Sequence, residues 1–210
     1  MIKVDLQPEP PDFQEKVREP GVQFLKKKPN PSSKEWKTCW TRARKDLGRA
    51  YKDICAYCAV LHEPTARTVD HFHPKSIRPD LAYEWDNYRL ACPFMNAFKR
   101  DYQDVLDPFT LKPMTFVIDF PSLQVTCGLE DEALRKQVND TVERLHLNTE
   151  EMIEMREKQI GTYVAVRGMT FEYFWSTSPF IAAELDRQKL RERKQILELM
   201  PGLDGNVVKV

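Results

Sequence analysis

The sequence predicts an α+β fold in which a small core of two short strands and a stubby helix is embedded in a mainly α-helical protein. Three observations predict it. The stretches "TVDHF" and "YRLAC" are short, apolar and rich in strand-favouring residues, and "PFMNAFKR" follows the second at once with helical character. Beyond Gly128, apolar residues recur at helical spacing through three segments. The chain has 210 residues, 41% of them hydrophobic and 30% charged, which is enough for one ordinary core or two small ones.

Taken in order, residues 1–31 are rich in proline, include "KKKPNP" and have little apolar periodicity, so an extended arm is expected, either disordered or docked on a partner or on the protein's own body. A helix over about residues 33–50 follows. Its opening "SSKE" places Ser32 and Glu35 at capping-box spacing. Trp36, Cys39, Trp40, Ala43 and Leu47 share one helical face, and Arg42, Lys45, Arg49 and Lys52 share the opposite one. Residues 55–108 are irregular apart from the two strands and the helix, and "TFVIDF" with "LQVT" reads as a hairpin across Pro121 and Ser122. Helices are then expected at about 130–146, 149–175 and 179–199, the middle one buried along Ile153, Ile160, Val164, Phe171 and Trp175. This divides the chain into an arm (1–31), a basic helix with the strand-containing core (32–128), and a helical C-terminal region (129–210) that packs on the core or binds a partner. There is no internal repeat and no low-complexity tract.

Net charge is zero, which excludes a uniformly basic nucleic-acid coat, but the charge is unevenly placed. Residues 34–52 hold seven Lys or Arg against two acids, whereas residues 129–204 hold eleven against fifteen. One short segment is thus suited to phosphate. No apolar run approaches the roughly 18 residues of a membrane span, and "MIKVDLQPEPPD" is acidic where a secretory signal is basic and then apolar, so the cytoplasm is the expected location. Five cysteines in such a chain suit reduced thiols or metal ligands better than a disulfide framework.

Chemistry-bearing residues concentrate in the strand-containing stretch. "VDHFHPKS" supplies Asp70 and His71 at a strand end, "EWDNYRL" supplies Asn87, and the following helix supplies Asn96, with Lys75, Lys99 and Arg100 nearby. Asp70 and Asn96 offer hard oxygen ligands that suit Mg²⁺ or Mn²⁺, and an imidazole beside such an ion can take a proton from water. "CAYC" adds Cys55 and Cys58 at metal-clamping spacing. A second pair begins at Cys92, but Met95 stands at its partner's position, and a neutral thioether is a poor zinc ligand. His62, Cys127 or water completes a site with these three thiols, or Met95 merely packs and no ion is held.

The pattern "CAYC", "VDHFHPKS", "YEWDNYRLACPFMNAFKRD" and "VLDPF", over residues 55–108, resembles the HNH endonucleases. Within them it resembles the PtuB-like nuclease subunit of Septu anti-phage systems, which is also an effector of retron systems. A fainter likeness continues at "VERLHLNTEEMIEMR", residues 142–156. The resemblance implies a ββα-metal core in which His71, Asn87 and Asn96 form the catalytic triplet. His71 would activate water, Asp70 and Asn96 would hold one Mg²⁺ or Mn²⁺, and Asn87 would fix the loop and the orientation of His71. Independently of the resemblance, the charge and proximity of Lys75 and Lys99 suit phosphate contact, and Arg42, Lys45 and Arg49 of the basic helix are further expected nucleic-acid contacts; His73 carries no role. A structural zinc at Cys55, Cys58 and Cys92 is implied as well, since two CxxC pairs commonly form such a site in this family. So are partners: DNA or RNA, an ABC/SMC-like ATPase subunit and, in a retron, a reverse transcriptase with its DNA, with no membrane involved. The other readings are a catalytically inactive nucleic-acid-binding module and a scaffold subunit.

Overall fold

A computed structural model describes residues 1–205; residues 206–210, the end of the expected C-terminal region, lie outside the described residues. The described chain is α+β, with eight α-helices and two separate two-stranded antiparallel sheets. No described helix is long and apolar enough to cross a membrane. All five cysteines are free thiols.

The first sheet pairs β1 (Thr68–His71) with β2 (Tyr88–Ala91), and α3 (Pro93–Lys99) follows β2 directly and packs on β1. Pro93 at the first helical position and the extended backbone of Cys92 start α3 abruptly. The register sets Val69 opposite Leu90, Asp70 opposite Arg89 and His71 opposite Tyr88. Since side chains alternate along a strand, Val69, His71, Tyr88 and Leu90 share one face and Asp70 and Arg89 the other. The first face lies in a cluster with Trp36, Trp40, Leu47, Tyr83 and Trp85. On the other, Arg89 is buried, grips Asp107 through two hydrogen bonds of 2.9 and 2.7 Å, and lies over the rings of Phe72 and Phe109.

The N-terminal stretch docks on the protein's own body and is extended only at its start, which corrects the expectation of an extended arm over 1–31. Met1 is buried in the core, Val4 N donates to the Pro108 carbonyl at 2.9 Å, and Trp85 Nε1 donates to the Gln7 carbonyl at 2.8 Å. A π-helical turn (Gln14–Arg18) then runs into α1 (Glu19–Lys27), placing Phe13 edge-on to Trp85 and Tyr88. Pro20 has no amide to give the Lys16 carbonyl one turn back; the π-helical turn lies just before it, and Arg42 bonds that carbonyl instead at 2.9 Å.

The continuous helix expected at 33–50 is a second correction. Ser32 and Glu35 do bond, but they close a single turn, and Glu35 is also drawn to Lys28. Helical structure resumes as a 3₁₀ turn at Cys39–Ala43 and only then as α2 (Arg44–Ala50). The break lets Trp36 and Trp40 each turn onto Tyr83, while the expected apolar face, Trp36, Cys39, Trp40, Ala43 and Leu47, is buried as a set.

The second sheet pairs β3 (Val117–Asp119) with β4 (Gln124–Thr126) across the expected turn. Next comes α4 (Glu132–Arg144), capped by Asp131 accepting from Leu134 N. The two longer helices expected beyond it are each broken. Residues 149–175 form α5 (Glu150–Ala165) and α6 (Phe171–Thr177), parted where Thr170 caps α6 and Arg193 takes the carbonyls of Val166 and Met169. Of the expected buried stripe, Ile160 alone is fully buried; Ile153, Val164 and Phe171 are half-buried against the core, and the break leaves Trp175 exposed. Residues 179–199 form α7 (Pro179–Arg187) and α8 (Arg193–Leu199), the latter opened by a Glu192/Gln195 capping box. These helices share one hydrophobic cluster with Cys55, Tyr57, Cys58, Cys92 and the β3–β4 hairpin, so the C-terminal region packs directly on the strand-containing core.

Two substitutions test this packing. A methyl at Gly21 would fall inside the ring of Tyr83, so Gly21→Ala should destabilise by about 1–3 kcal/mol and lower Tm by several degrees in a thermal melt. Asp107→Ala leaves the Arg89 guanidinium buried without its carboxylate and should cost about 3 kcal/mol in denaturant unfolding.

Candidate functional site

Cys55 and Cys58 lie on a tight turn at the edge of the core. The Cys55 amide donates to the Val60 carbonyl, the Ala59 amide donates back to the Cys55 carbonyl, and Ala59 is left-handed at φ 54°. His62 follows Leu61, which bridges back to Ile54, and its amide donates to the Asp53 carbonyl. Cys92 arrives from the end of β2, its amide 3.4 Å from Cys55 Sγ. The ligand atoms of Cys55, Cys58, His62 and Cys92 all lie within 4.8 Å of one another, with Cys58 Sγ and His62 Nε2 3.4 Å apart. A tetrahedral zinc with sulfur bonds of about 2.3 Å spaces its ligands at a little under 4 Å, so this set could hold a metal ion such as zinc.

The thiol chemistry agrees. Burial pushes the Cys55 thiol up to about 12, and hydrogen bonds with Cys55 and Cys92 push Cys58 well above its ordinary value. Cys92 goes the other way, its sulfur receiving hydrogen bonds from both. A divalent cation at this point would replace the thiol protons and hold the sulfurs as thiolates. His62 is the fourth donor among the alternatives the sequence left open. Cys127 instead lies against the Leu129 carbonyl, and Met95 is buried in the core.

Eight residues past His62, the end of β1 presents Asp70 and His71 on opposite faces of the hairpin, not side by side. His71 is only 7% exposed, between the edges of the Trp40 and Tyr88 rings at centroid distances of 4.9 and 5.2 Å. Its Nε2 donates to the Ala82 carbonyl at 2.9 Å, which leaves Nδ1 as the acceptor. Burial, with Lys75 adding its charge, lowers the pKa to about 3, so the ring is neutral. Asn87 clasps the loop between the strands: Oδ1 accepts from His73 N at 2.8 Å, and Nδ2 donates to the carbonyls of His73 and Leu81, both at 3.0 Å.

Asp70 is buried, with Oδ2 accepting from the Tyr57 hydroxyl at 2.5 Å and Oδ1 lying 3.5 Å from Lys99 Nζ. Burial raises its pKa, opposed chiefly by Lys99. Lys99 is 0% exposed and donates to the carbonyls of His71 and Phe72 at 3.0 and 2.9 Å. Its expected phosphate contact is therefore corrected: the ammonium is spent inside the fold. Asn96 stands one helical turn before Lys99, half-buried, its side chain free of hydrogen bonds among the described residues. Among those residues the cysteine–histidine set is the one grouping of three or more His, Cys, Asp or Glu arranged to hold an ion, so Mg²⁺ or Mn²⁺ has no comparable ready-made site. The Asp70 carboxylate and the His71 and Phe72 carbonyls converge on one point, which the Lys99 ammonium occupies.

The other expected phosphate contacts are dispersed. Lys75 Nζ lies 5.4 Å over the Trp40 ring, its pKa lowered by burial. Arg42 bonds the Lys16 carbonyl at 2.9 Å, Arg49 is 3.8 Å from Asp46, and Lys45 is exposed; α2, which carries the last two, packs against the β1–β2 hairpin. His73 is exposed. Sequence reasoning missed Tyr57 as the Asp70 partner and Trp40 as the cover of His71. Neither has a local signal, because each acts on a residue brought to it by the fold. For His62 the signal existed in the C-x₂-C-x₃-H spacing.

Zinc titrated into metal-free protein should saturate at one ion at this set. His62→Ala should weaken retention by more than the roughly 10–100-fold that loss of an outer-shell partner costs, read by competition with a chromophoric chelator. Removing the ion should lower Tm. Compared with known proteins, the chain matches no family model, no curated protein and no solved structure.

Proposed function

We propose that the chain is a metal-dependent endonuclease of the HNH type, hydrolysing nucleic-acid phosphodiester bonds from a ββα-metal core made by β1, β2 and α3. The observation that carries the reading is His71 at the end of β1. Its Nε2 proton is committed to the Ala82 carbonyl, and Nδ1 is left to accept a proton, although burial lowers the basicity of the ring and catalysis would need substrate to relieve that burial.

In this reading Nδ1 of His71 takes the proton of the attacking water, which requires the end of β1 to turn so that His71 and Asp70, held here on opposite faces of the hairpin, reach the same phosphate. Asn87 acts at one remove, tying His73 to Leu81 so that the loop after β1 keeps its path and His71 its direction. Asp70 and Asn96 would hold the divalent ion, which supplies polarisation of the scissile phosphate and stabilisation of the leaving oxygen. Lys75 borders His71, and Lys45 and Arg49 of α2 offer exposed cations on an element packed against the hairpin, suited to the phosphates flanking the cut. The cysteine–histidine set lies at the β2–α3 junction and would brace the helix bearing Asn96.

The resemblance of residues 55–108 to the PtuB-like nucleases supports a role in Septu- or retron-type anti-phage defence beside an ABC/SMC-like ATPase, with a reverse transcriptase and its DNA in the retron case. A second reading has an observation of its own: Asp70 is engaged by Tyr57 and Lys99 and His71 is nearly covered, which suits a nucleic-acid-binding subunit without catalysis.

One assay separates them. Purified protein, alone and with the ATPase, is incubated with plasmid DNA or total RNA in Mg²⁺, Mn²⁺ or EDTA. Cleavage should need the divalent ion and fall by at least about 100-fold in a His71→Ala variant of matched fold. Salt-sensitive binding with no product under any condition would sink the endonuclease and leave the binding subunit.

A further inference from the structure

Resting on the endonuclease reading, we propose that the ammonium of Lys99 is the resident counter-ion of Asp70, holds the place a divalent ion takes, and makes metal binding depend on the phosphate charge of the substrate. A fully buried lysine is rare without paired charge, and this one is committed on every side. Two of its three N–H donors go to the His71 and Phe72 carbonyls at 3.0 and 2.9 Å, and Asp70 Oδ1 stands 3.5 Å away. Three oxygens on one positive point form part of a hard-cation shell, built from the strand end that bears the proposed base. The Asn96 amide, on the same face of α3, is not consumed elsewhere among the described residues.

Charge balance gives the consequence. Asp70 is neutralised by Lys99, and the neighbouring Arg89 by Asp107, so the buried charges already balance. A divalent ion entering beside Lys99 would add two uncompensated positive charges to a desolvated site. It can enter when Lys99 withdraws, or when a phosphodiester arrives with the compensating negative charge. Lys99 thereby disfavours a metal-loaded site while no nucleic acid is bound, and metal and substrate bind cooperatively.

The test reads metal occupancy directly, by the electron paramagnetic resonance of Mn²⁺ on zinc-loaded protein without nucleic acid. Lys99→Gln keeps a donor for the strand-end carbonyls but removes the charge. It should bind Mn²⁺ at least about tenfold more tightly than the native chain, and adding Asp70→Asn should abolish the gain. A folded Lys99→Gln variant that binds Mn²⁺ no more tightly overturns the proposal. On the native chain, which needs no variant to fold, a saturating short DNA duplex or single-stranded RNA held below its cleavage temperature should tighten Mn²⁺ binding by about tenfold; bound oligonucleotide with unchanged Mn²⁺ affinity also overturns it. Failure of the endonuclease reading looks different: the Mn²⁺ shifts appear as stated while no strand is cut.

Discussion

The β1–β2 register is the constraint on which the rest of the structure depends, because it sorts a four-residue strand into two chemically different faces. With Asp70 opposite Arg89 and His71 opposite Tyr88, the carboxylate looks toward α3 and the imidazole toward the tryptophan-rich cluster of the N-terminal half. A slip of one residue would exchange the faces, burying a carboxylate among Trp36, Trp40 and Leu47 and leaving an imidazole before Lys99. Neither exchange could be satisfied, and that is what fixes the pairing. The hairpin, too short to be stable alone, is therefore set from both sides by what covers it.

On the Asp70 side the cover is polar, and its cost is offset by completeness. Asp70 meets Tyr57 and Lys99, Lys99 meets two carbonyls, and Arg89 meets Asp107 and the rings of Phe72 and Phe109. Partly satisfied, such a network would be worse than an apolar core; satisfied throughout, it permits few alternative arrangements. The stretches "VDHF", "NAFK" and "VLDPF", well separated in sequence, are members of this one network. On the His71 side the cover is aromatic, and it makes the imidazole neutral by keeping water from it.

The cysteine–histidine set meets the hairpin at Cys92, where β2 becomes α3. Its position ties the turn at residues 55–62 to the helix that carries Asn96 and Lys99, so an ion there would act on the geometry at Asp70 without touching it. Met95, at the place of a fourth cysteine, is buried in the same hydrophobic cluster as Cys55 and Cys58. The loss of one ligand in the spacing pattern is answered by His62 at another point on the same turn.

What the sequence alone determined is local. Alternation and composition were enough for both hairpins and for α3, the helical period for α4, and the apolar face from Trp36 to Leu47 was readable even where its helix was not continuous. The CxxC spacing and Cys92 pointed to three thiols of the metal set. The breaks within 149–175 and 179–199 went unread because Thr170 and Glu192 cap helices only once neighbouring segments, such as Arg193 against Val166 and Met169, claim the freed carbonyls. Tertiary structure alone decided that the proline-rich stretch folds back onto the core, that His62 and not Cys127 joins the thiols, that Trp40 covers His71, and that Lys99 faces inward to Asp70 instead of outward to phosphate. Each depends on groups distant in sequence arriving at one place, and a buried charge or thiol takes its state from those neighbours and not from the residues beside it in the chain.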